Sequence, residues 1–338
     1  MSPCRRLEAF GTMDEKPGSP ISDISRTTRV AFHDPATQIR LLHLDPSSTD
    51  DNISATLDVW DKDSAPSYYA ISYVCGTSPA QNVITVNDQA ILVRDKCFEA
   101  VQQTNLHFPG SYVWVDAICI NKNDLAEKSA QVAIMGDIYV KASFVLACIG
   151  PTDPFIQSIR ALDGRALVQN STEDEDYEVE RSTMTVKWYP DGLECPETRF
   201  PATADDEAIV KRLIAEWNEL SLRPYFERAW IVQELIGGKQ YTIVLCGQDK
   251  IDWNLLTAIG KRLHAFNLHL LTNLSTHPFE TAIPVLENIV GDIGAGGHFT
   301  QYIDETCHFH CADPRDRVFS MLSLVDWTLH AQTPLLPD

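Results

Sequence analysis

Residues 112–150 constrain the fold more than any other part of the chain. This stretch opens with YVWVDAICIN, an apolar run rich in β-forming residues, and closes with SFVLACIG, which is apolar at nearly every position. Between the two runs, apolar residues recur at helical spacing, and Asp124 followed by Glu127 has the form of a capping box that starts a helix. Strand, helix and strand in this order predict a βαβ unit with parallel strands buried on both faces. Because parallel sheets bind ligands beyond the carboxyl ends of their strands, Asp116 is expected at a ligand crevice.

The charge and the cysteine content narrow the class of protein. With 27 basic against 47 acidic residues, the net charge is −20, which argues against general nucleic-acid binding through phosphate neutralisation. The nine cysteines are an odd number, and several lie in apolar runs, so we expect buried, reduced thiols in a cytoplasmic protein. No run approaches the ~20 apolar residues of a membrane span, and the first residues lack the apolar region of a signal peptide.

The rest of the chain predicts further elements around this unit. Four more strand-forming runs are expected at 39–44, 53–60, 68–76 and 241–247, with a hairpin at 83–93. We predict an α/β fold with a parallel-sheet core, an N-terminal β-hairpin, an insertion and an added C-terminal helical region. The expected parts are a mobile tail at 1–35, core elements at 36–150 and 205–250, an acidic insertion at 151–204 and a helical region at 251–325.

Several ordered motifs resemble the heterokaryon-incompatibility (HET) domain of filamentous fungi. They are YYAISYVCG at 68–76, WVDAICIN at 114–121, EKxxQVxxMxxIY at 127–139 and DPRDRVFSMLSL at 313–324. Lys122 departs from the family pattern, which usually has Gln there, and Cys75 and Cys148 stand where Trp is common. The resemblance spans roughly 38–325 and implies a HET domain over 36–338. It implies a role in fungal non-self recognition, a form of innate immunity that triggers programmed cell death.

The order of elements also resembles that of Toll/interleukin-1 receptor (TIR) domains. The shared order ends with a helix carrying Trp-x-x-x-Glu and a last strand, and the motif falls on Trp230 and Glu234. The resemblance implies a TIR-like, flavodoxin-like parallel sheet. Enzymatic TIR domains hydrolyse NAD with the glutamate of this motif, so Glu234 is the implied catalytic residue and NAD or a related nucleotide the implied substrate, with no cofactor. The long insertion before the helix departs from the TIR pattern, and many TIR domains with a similar helix are non-catalytic adaptors.

The residues around this motif leave two interpretations of the carboxylate open. A helix is predicted over Arg223 to Leu235, since Pro224 suits a first helical turn. Phe226, Trp230 and Glu234 are spaced four apart, which places them on one face, and two aromatic residues indicate that this face is turned inward. A carboxylate there either pairs with an arginine at the edge of the core or lies in the ligand crevice. Trp230 is expected to be largely buried.

Three further candidates lie near the predicted crevice. Asp116, Ser72 and Tyr73 follow or end the first core strands, where they would contact a ligand. A structural role for Asp116, accepting backbone N–H groups at the following turn, explains that residue equally well. Core packing is likewise a sufficient reason for Tyr73.

Two arginines and two tryptophans complete the candidate site. Arg223 and Arg228 would neutralise a ligand pyrophosphate, although an ion pair with Glu227 is the default for Arg223. Trp230 and Trp114 are expected to support the site structurally rather than to contact substrate.

Three other sequence patterns do not indicate a metal site, a dinucleotide-binding loop or a catalytic nucleophile. CHFHC at 307–311 is a single clump, whereas structural zinc sites use two separated ligand pairs, so no metal is expected. GDIGAGG at 291–297 follows no strand and is not a dinucleotide fingerprint. Cys119 groups with Val113 and Val115 by strand alternation, and no particular histidine is indicated, so it is not expected to be a nucleophile.

Two functions from different classes therefore follow from the sequence. The first is a cell-death effector that hydrolyses the nicotinamide–ribose bond of NAD. The second is a non-enzymatic module that oligomerises and signals by contact. Both imply a homo-oligomer on activation and an unidentified protein activator.

Overall fold

The structure is a computed structural model. It describes residues 30–49, 52–161, 204–238, 241–270, 306–311 and 313–321, the backbone of 179–180 and 185–186, and single residues at 283 and 304. Most of the predicted tail at 1–35, most of the predicted insertion at 151–204 and the glycine-rich stretch at 291–297 lie outside these residues.

The described residues form eleven strands and nine helices. The strands are β1 (Gln38–Leu44), β2 (Ser54–Asp61), β3 (Tyr68–Tyr73), β4 (Ala80–Val86), β5 (Gln89–Arg94), β6 (Tyr112–Trp114), β7 (Phe144–Gly150), β8 (Val179–Glu180), β9 (Thr185–Val186), β10 (Thr242–Cys246) and β11 (Asp249–Asp252). The helices are α1 (Asp95–His107), α2 (Asp116–Cys119), α3 (Leu125–Ala133), α4 (Met135–Lys141), α5 (Pro154–Ala161), α6 (Ala204–Ser221), α7 (Ile231–Gly238), α8 (Trp253–Leu270) and α9 (Asp316–Phe319).

A mixed sheet of nine strands organises the fold, in the order β11-β10-β7-β3-β6-β1-β2-β4-β5. Its central strands β10, β7, β3 and β6 are parallel to one another. The run SFVLACIG forms β7 and lies between β3 and β10, so this part of the predicted parallel sheet is confirmed. The two predicted hairpins are confirmed as well: β1 pairs with β2, and β4 pairs with β5 across Asn87 and Asp88, both at positive φ.

The run YVWVDAICI is only partly a strand. Tyr112 to Trp114 pairs in the sheet, whereas Asp116 to Cys119 forms the helical turn α2, and the Val115 carbonyl accepts from the Cys119 N–H at 2.8 Å. An apolar run is buried equally well as strand or as helix, so periodicity alone does not separate the two. The strand-face assignment of Cys119 is therefore wrong, although the residue is fully buried.

The helix predicted from Arg223 begins instead at Ile231. The backbone before it makes hydrogen bonds outside the helix. The Ala229 N–H donates to the His310 carbonyl at 3.0 Å, and the His310 N–H donates to the Glu227 carbonyl. Residues 222–230 therefore form turns that pair with the segment 306–311 rather than a helix. Phe226 and Trp230 precede α7, so the expected single helical face does not exist.

The helical part of the βαβ unit is present but interrupted. Asp124 is the predicted N-cap, and its side chain accepts from the backbone N–H of Ala126 and of Glu127. The helix breaks at Ile134 and resumes as α4. Glu127 forms an ion pair with Arg40, which is almost fully buried, and this pair ties α3 to β1.

Two buried apolar clusters hold the layers together. One surrounds β1–β7 with α1 and α4, and the other joins β7 and β10 to α5, α6, α7 and α8. Phe155 of α5 is fully buried, so the start of the predicted insertion belongs to the second cluster. Within the described residues, no helix is long and apolar enough to cross a membrane.

Candidate active site

A cavity of about 280 Å³ lies at the carboxyl ends of β3 and β6. Tyr73 and Cys75 reach it from the end of β3 and the loop beyond, and Asp116 and Lys122 reach it from the residues after β6. Helices α3, α4 and α7 and the segment 313–319 supply the other walls. The volume is just below the ~300–1,000 Å³ of typical small-molecule sites, and the carboxyl ends of parallel strands are where such sheets bind ligands.

Glu234 lies on the cavity wall in the first turn of α7 and is 4% exposed. Arg228 binds it in a bidentate manner, with Nη1 donating to Oε2 and Nη2 to Oε1, each at 3.1 Å. Ser72 Oγ also donates to Oε2, and Tyr225 hydrogen-bonds Ser72 at 2.6 Å. Four side chains from β3, α7 and the turn before it thus form one buried polar network.

The contacts of Glu234 leave part of the carboxylate uncommitted. A carboxylate offers about four acceptor positions, and the two donors of Arg228 and the one of Ser72 occupy three. Among the side chains and backbone groups described, no donor occupies the remaining position on Oε1. Burial acts to lower the pKa of Arg228, but the charge of Glu234 outweighs it and holds that pKa well above its ordinary value.

A second charged pair lies on the same cavity. Lys122 Nζ is 2.7 Å from Asp116 Oδ2, and the Tyr73 hydroxyl lies close to the Asp116 carboxylate. Burial acts to raise the pKa of Asp116, but Lys122 and the Tyr73 hydroxyl outweigh it and lower the pKa below its ordinary value. Burial and the nearby Asp116 charge raise the pKa of Tyr73 well above its ordinary value, so this hydroxyl stays protonated. Lys122 is one of the residues that depart from the usual HET pattern.

The structure brings five of the predicted site residues to one cavity: Tyr73, Asp116, Arg228, Trp230 and Glu234. Ser72 is not on the wall but behind it, 1% exposed and bound to Glu234. Trp230 is half-buried rather than largely buried, since part of its ring packs against the first core cluster while part lines the cavity.

Two predicted site residues lie elsewhere. Arg223 pairs with Asp153 at 2.7 Å and donates to the carbonyls of Ile149 and Pro151, so it ties the end of β7 to the following loop. Trp114 is fully buried and packs edge-to-face against Tyr139, with ring centroids 5.6 Å apart. The Arg223–Asp153 pair replaces the expected pair with Glu227.

Sequence reasoning missed three residues of the site: Tyr225, Lys122 and Asp316. Tyr225 is fully buried behind Ser72, and nothing in the turn RPYFER marks it as polar support. Lys122 was visible as a departure from the HET motif, and Asp316 belongs to the motif DPRDR without an assigned role.

The CHFHC stretch packs against the site from outside. Phe309 is fully buried, and His310 Nε2 is 3.3 Å from the Glu227 carboxylate. Among the described residues, no three His, Cys, Asp or Glu side chains are grouped as metal ligands would be. The role of this stretch in the structure is to hold the turn that carries Arg228.

Comparison with known proteins identifies the family. The family profile described as "Heterokaryon incompatibility protein (HET)" matches residues 68–234, from the start of β3 to Glu234. The chain carries a HET domain. The described segments after α7 lie beyond this match, including the residues 313–319 on the cavity wall.

A HET protein of Neurospora crassa matches the chain over a longer range. The chain is 31% identical over 254 residues to "Heterokaryon incompatibility protein 6, OR allele" of Neurospora crassa. The aligned region is 68% of this chain and 36% of that protein, so the chain spans about a third of the length of its relative. No solved structure matches the chain.

Proposed function

We propose that this HET-domain chain acts in heterokaryon incompatibility as a cytoplasmic effector of non-self recognition and regulated cell death. We further propose that its cavity cleaves the nicotinamide–ribose bond of NAD after a protein activator brings copies of the chain together. The family profile and the Neurospora relative support the first statement. The second rests on the site itself.

The observation that carries the enzyme proposal is the Glu234 carboxylate on the wall of a cavity at the carboxyl ends of parallel strands. The central parallel strands, taken in chain order, lie in space as second, first, third and fourth. This is the order of flavodoxin-like sheets, which bind their ligands beyond the carboxyl ends of their strands. It supports the proposal of a TIR-like core, in which the Trp-x-x-x-Glu motif would make Glu234 the catalytic carboxylate.

The proposed chemistry is heterolysis of a glycosidic bond to a positively charged leaving group. The bond between the ribose anomeric carbon and the nicotinamide nitrogen breaks, and its electron pair neutralises the pyridinium nitrogen. Positive charge then develops on the ribosyl carbon and ring oxygen. Glu234 stabilises that charge and holds a ribose hydroxyl on the uncommitted position of Oε1.

Arg228 determines how much of the Glu234 charge is available. In the structure its guanidinium neutralises the carboxylate. A substrate pyrophosphate is a competing bidentate partner for a guanidinium. Binding of the pyrophosphate would draw Arg228 toward the substrate, leaving Glu234 free to stabilise the transition state.

The same ion pair favours the second candidate function, a non-enzymatic signalling module. A buried glutamate that accepts from Arg228 and Ser72 is also what a purely structural carboxylate looks like. In this case the pair fixes the turn and α7, and signalling proceeds by contact between copies of the chain.

One variant separates the two functions. Glu234→Gln keeps the size of the side chain and an acceptor for Ser72 and Arg228 but removes the charge. The enzyme proposal expects nicotinamide release from NAD, measured on artificially clustered protein, to fall about 10²-fold or more, or about 2.7 kcal/mol of barrier. Glu99→Gln is the matched control, because Glu99 forms an exposed ion pair with Lys96 on α1.

The same variants are expressed in yeast, with cell death and NAD measured together. The enzyme proposal expects the wild type and Glu99→Gln to kill cells as NAD falls, and Glu234→Gln to do neither while remaining folded. Killing at constant NAD, or equal killing by a folded Glu234→Gln protein, would establish the signalling module instead.

A further inference from the structure

A further carboxylate reaches the cavity from a segment that the HET match does not include. Asp316 is the first residue of α9 and lines the same cavity as Glu234. The segment around it is anchored on both sides, because Phe309 before it and Ser320 and Met321 after it are fully buried. The cavity wall that this segment forms is therefore held in place by the folded core.

Trp230 connects the two carboxylates. Its backbone carbonyl accepts from the Glu234 N–H at 3.2 Å, while its indole N–H lies close enough to the Asp316 carboxylate to act on the pKa of that group. Both acids and the indole ring line one cavity. Paired carboxylates that share a cavity are the arrangement with which glycosidic bonds are commonly hydrolysed, one acting on the sugar and the other on a proton.

The surroundings of Asp316 differ from those of Glu234. Asp316 is half-buried and faces Trp230, the carboxylate of Asp313, and the charges of Lys128 and Arg315. Burial raises its pKa above the ordinary value, and the Asp313 charge adds to this, while the indole N–H and the two cations act in the opposite direction. A carboxylate with a raised pKa is a stronger base once it is ionised.

We propose that Asp316 is a second catalytic residue, the general base for the water that attacks the ribosyl carbon. This inference rests on the NAD-cleaving function proposed above. As the carbon–nitrogen bond breaks, its electron pair stays on nicotinamide, and the water oxygen forms a bond to the anomeric carbon. The proton lost by the water passes to the Asp316 carboxylate, which later returns it to solvent, so that ADP-ribose and nicotinamide are the products.

The test is Asp316→Asn in the full chain, assayed as clustered protein. Asparagine keeps the size of the side chain and an oxygen near the Trp230 indole, so the wall stays in place, but it cannot take a proton. Hydrolysis of NAD is expected to fall about 10²-fold, the lower range for loss of a general base. Asp304→Asn is the control, because Asp304 is an exposed acid in the same part of the chain that does not line the cavity.

Added azide distinguishes a base from a structural residue. Azide is an anionic nucleophile that needs no deprotonation, so it should restore nicotinamide release by Asp316→Asn and yield ADP-ribosyl azide. The same concentration should leave wild-type release unchanged. The acidic limb of the wild-type pH–rate profile should also disappear in the variant.

Three outcomes are distinguishable. A variant that hydrolyses NAD within about threefold of wild type overturns the role of Asp316 while leaving the proposed function intact. A variant that loses activity and is not restored by azide shows that Asp316 only supports the wall. A wild-type protein that releases no nicotinamide contradicts the proposed function, and the inference about Asp316 with it.

Discussion

Gly237 is the position at which the packing of the site is most sensitive to a single methyl group. It lies in α7, the helix of Glu234, and a Cβ atom there would stand 2.4 Å from the Tyr139 Cβ and 3.1 Å from the Tyr139 carbonyl carbon. Two of the nearest atoms are backbone atoms of α4, so no side-chain rotation relieves the contact. An ordinary contact distance requires the two helices to separate by about 1 Å.

That separation acts directly on the Glu234 network. A shift of about 1 Å lengthens the 3.1 Å bonds between Arg228 and Glu234 beyond hydrogen-bonding distance. Because the contact is with backbone, α7 has to move, and the shift breaks a buried ion pair, which costs about 3–5 kcal/mol. The better helix propensity of alanine returns about 1 kcal/mol.

We therefore expect Gly237→Ala to lower the free energy of unfolding by about 2–4 kcal/mol. Urea denaturation followed by tryptophan fluorescence measures this change. Gln157→Ala on the exposed face of α5 is the control and should change stability by less than about 0.5 kcal/mol. A loss below about 1 kcal/mol for Gly237→Ala would refute the close packing of α7 on α4 from which the argument starts.

Two further predictions concern stability. Burial raises the pKa of Asp252 from 3.8 to about 6. The folded state therefore binds a proton on this carboxylate more tightly than the unfolded state does. The stability that results is present at low pH and is lost as the pH rises through about 6. Asp252→Asn keeps the acceptor that caps α8, so we expect urea denaturation to show the variant about 1–2 kcal/mol more stable than wild type at pH 8. This difference in unfolding free energy should narrow by roughly 0.8 kcal/mol at pH 5.5. A difference that does not change with pH, or that the control Asp58→Asn reproduces, would contradict this prediction. Trp230→Ala should cost about 2–3 kcal/mol of unfolding free energy, below the full cost of a buried tryptophan because one side of the ring lines the cavity; a loss under about 1 kcal/mol would show that the ring is not packed.

The sheet could be predicted from the sequence because its signals are local. The run that forms β7 is apolar at nearly every residue and ends at Gly150, and the Asn87-Asp88 pair marks a tight hairpin by its own conformational preference. The run after Trp114 was ambiguous for a physical reason. A short apolar segment is stable in the core as a strand or as a helical turn, and the choice depends on neighbours that the local sequence does not name.

The site could be predicted only in part because its contacts are distant in sequence. Ser72 and Glu234 are 162 residues apart, and no local pattern pairs them. The late start of α7 follows from the pairing of residues 227–229 with His310, which occupies the Ala229 N–H and the Glu227 carbonyl in a segment with helical composition. The candidate acids Glu234 and Asp116 were recognisable by motif and by position at a strand end, whereas the support of Tyr225 exists only in the folded chain.

The wide spacing of these residues also orders events during synthesis. Ser72 leaves the ribosome 162 residues before Glu234, which at about 5–20 residues per second corresponds to roughly 10–30 s. During that interval the nascent chain contains the strand that carries Ser72, but the Glu234 carboxylate to which Ser72 donates has not yet been made. The wall that carries Asp316 emerges later still. If the cavity acts as proposed, a nascent chain that lacks Glu234 and Asp316 cannot carry out the reaction, because neither of the two proposed acids has yet been made.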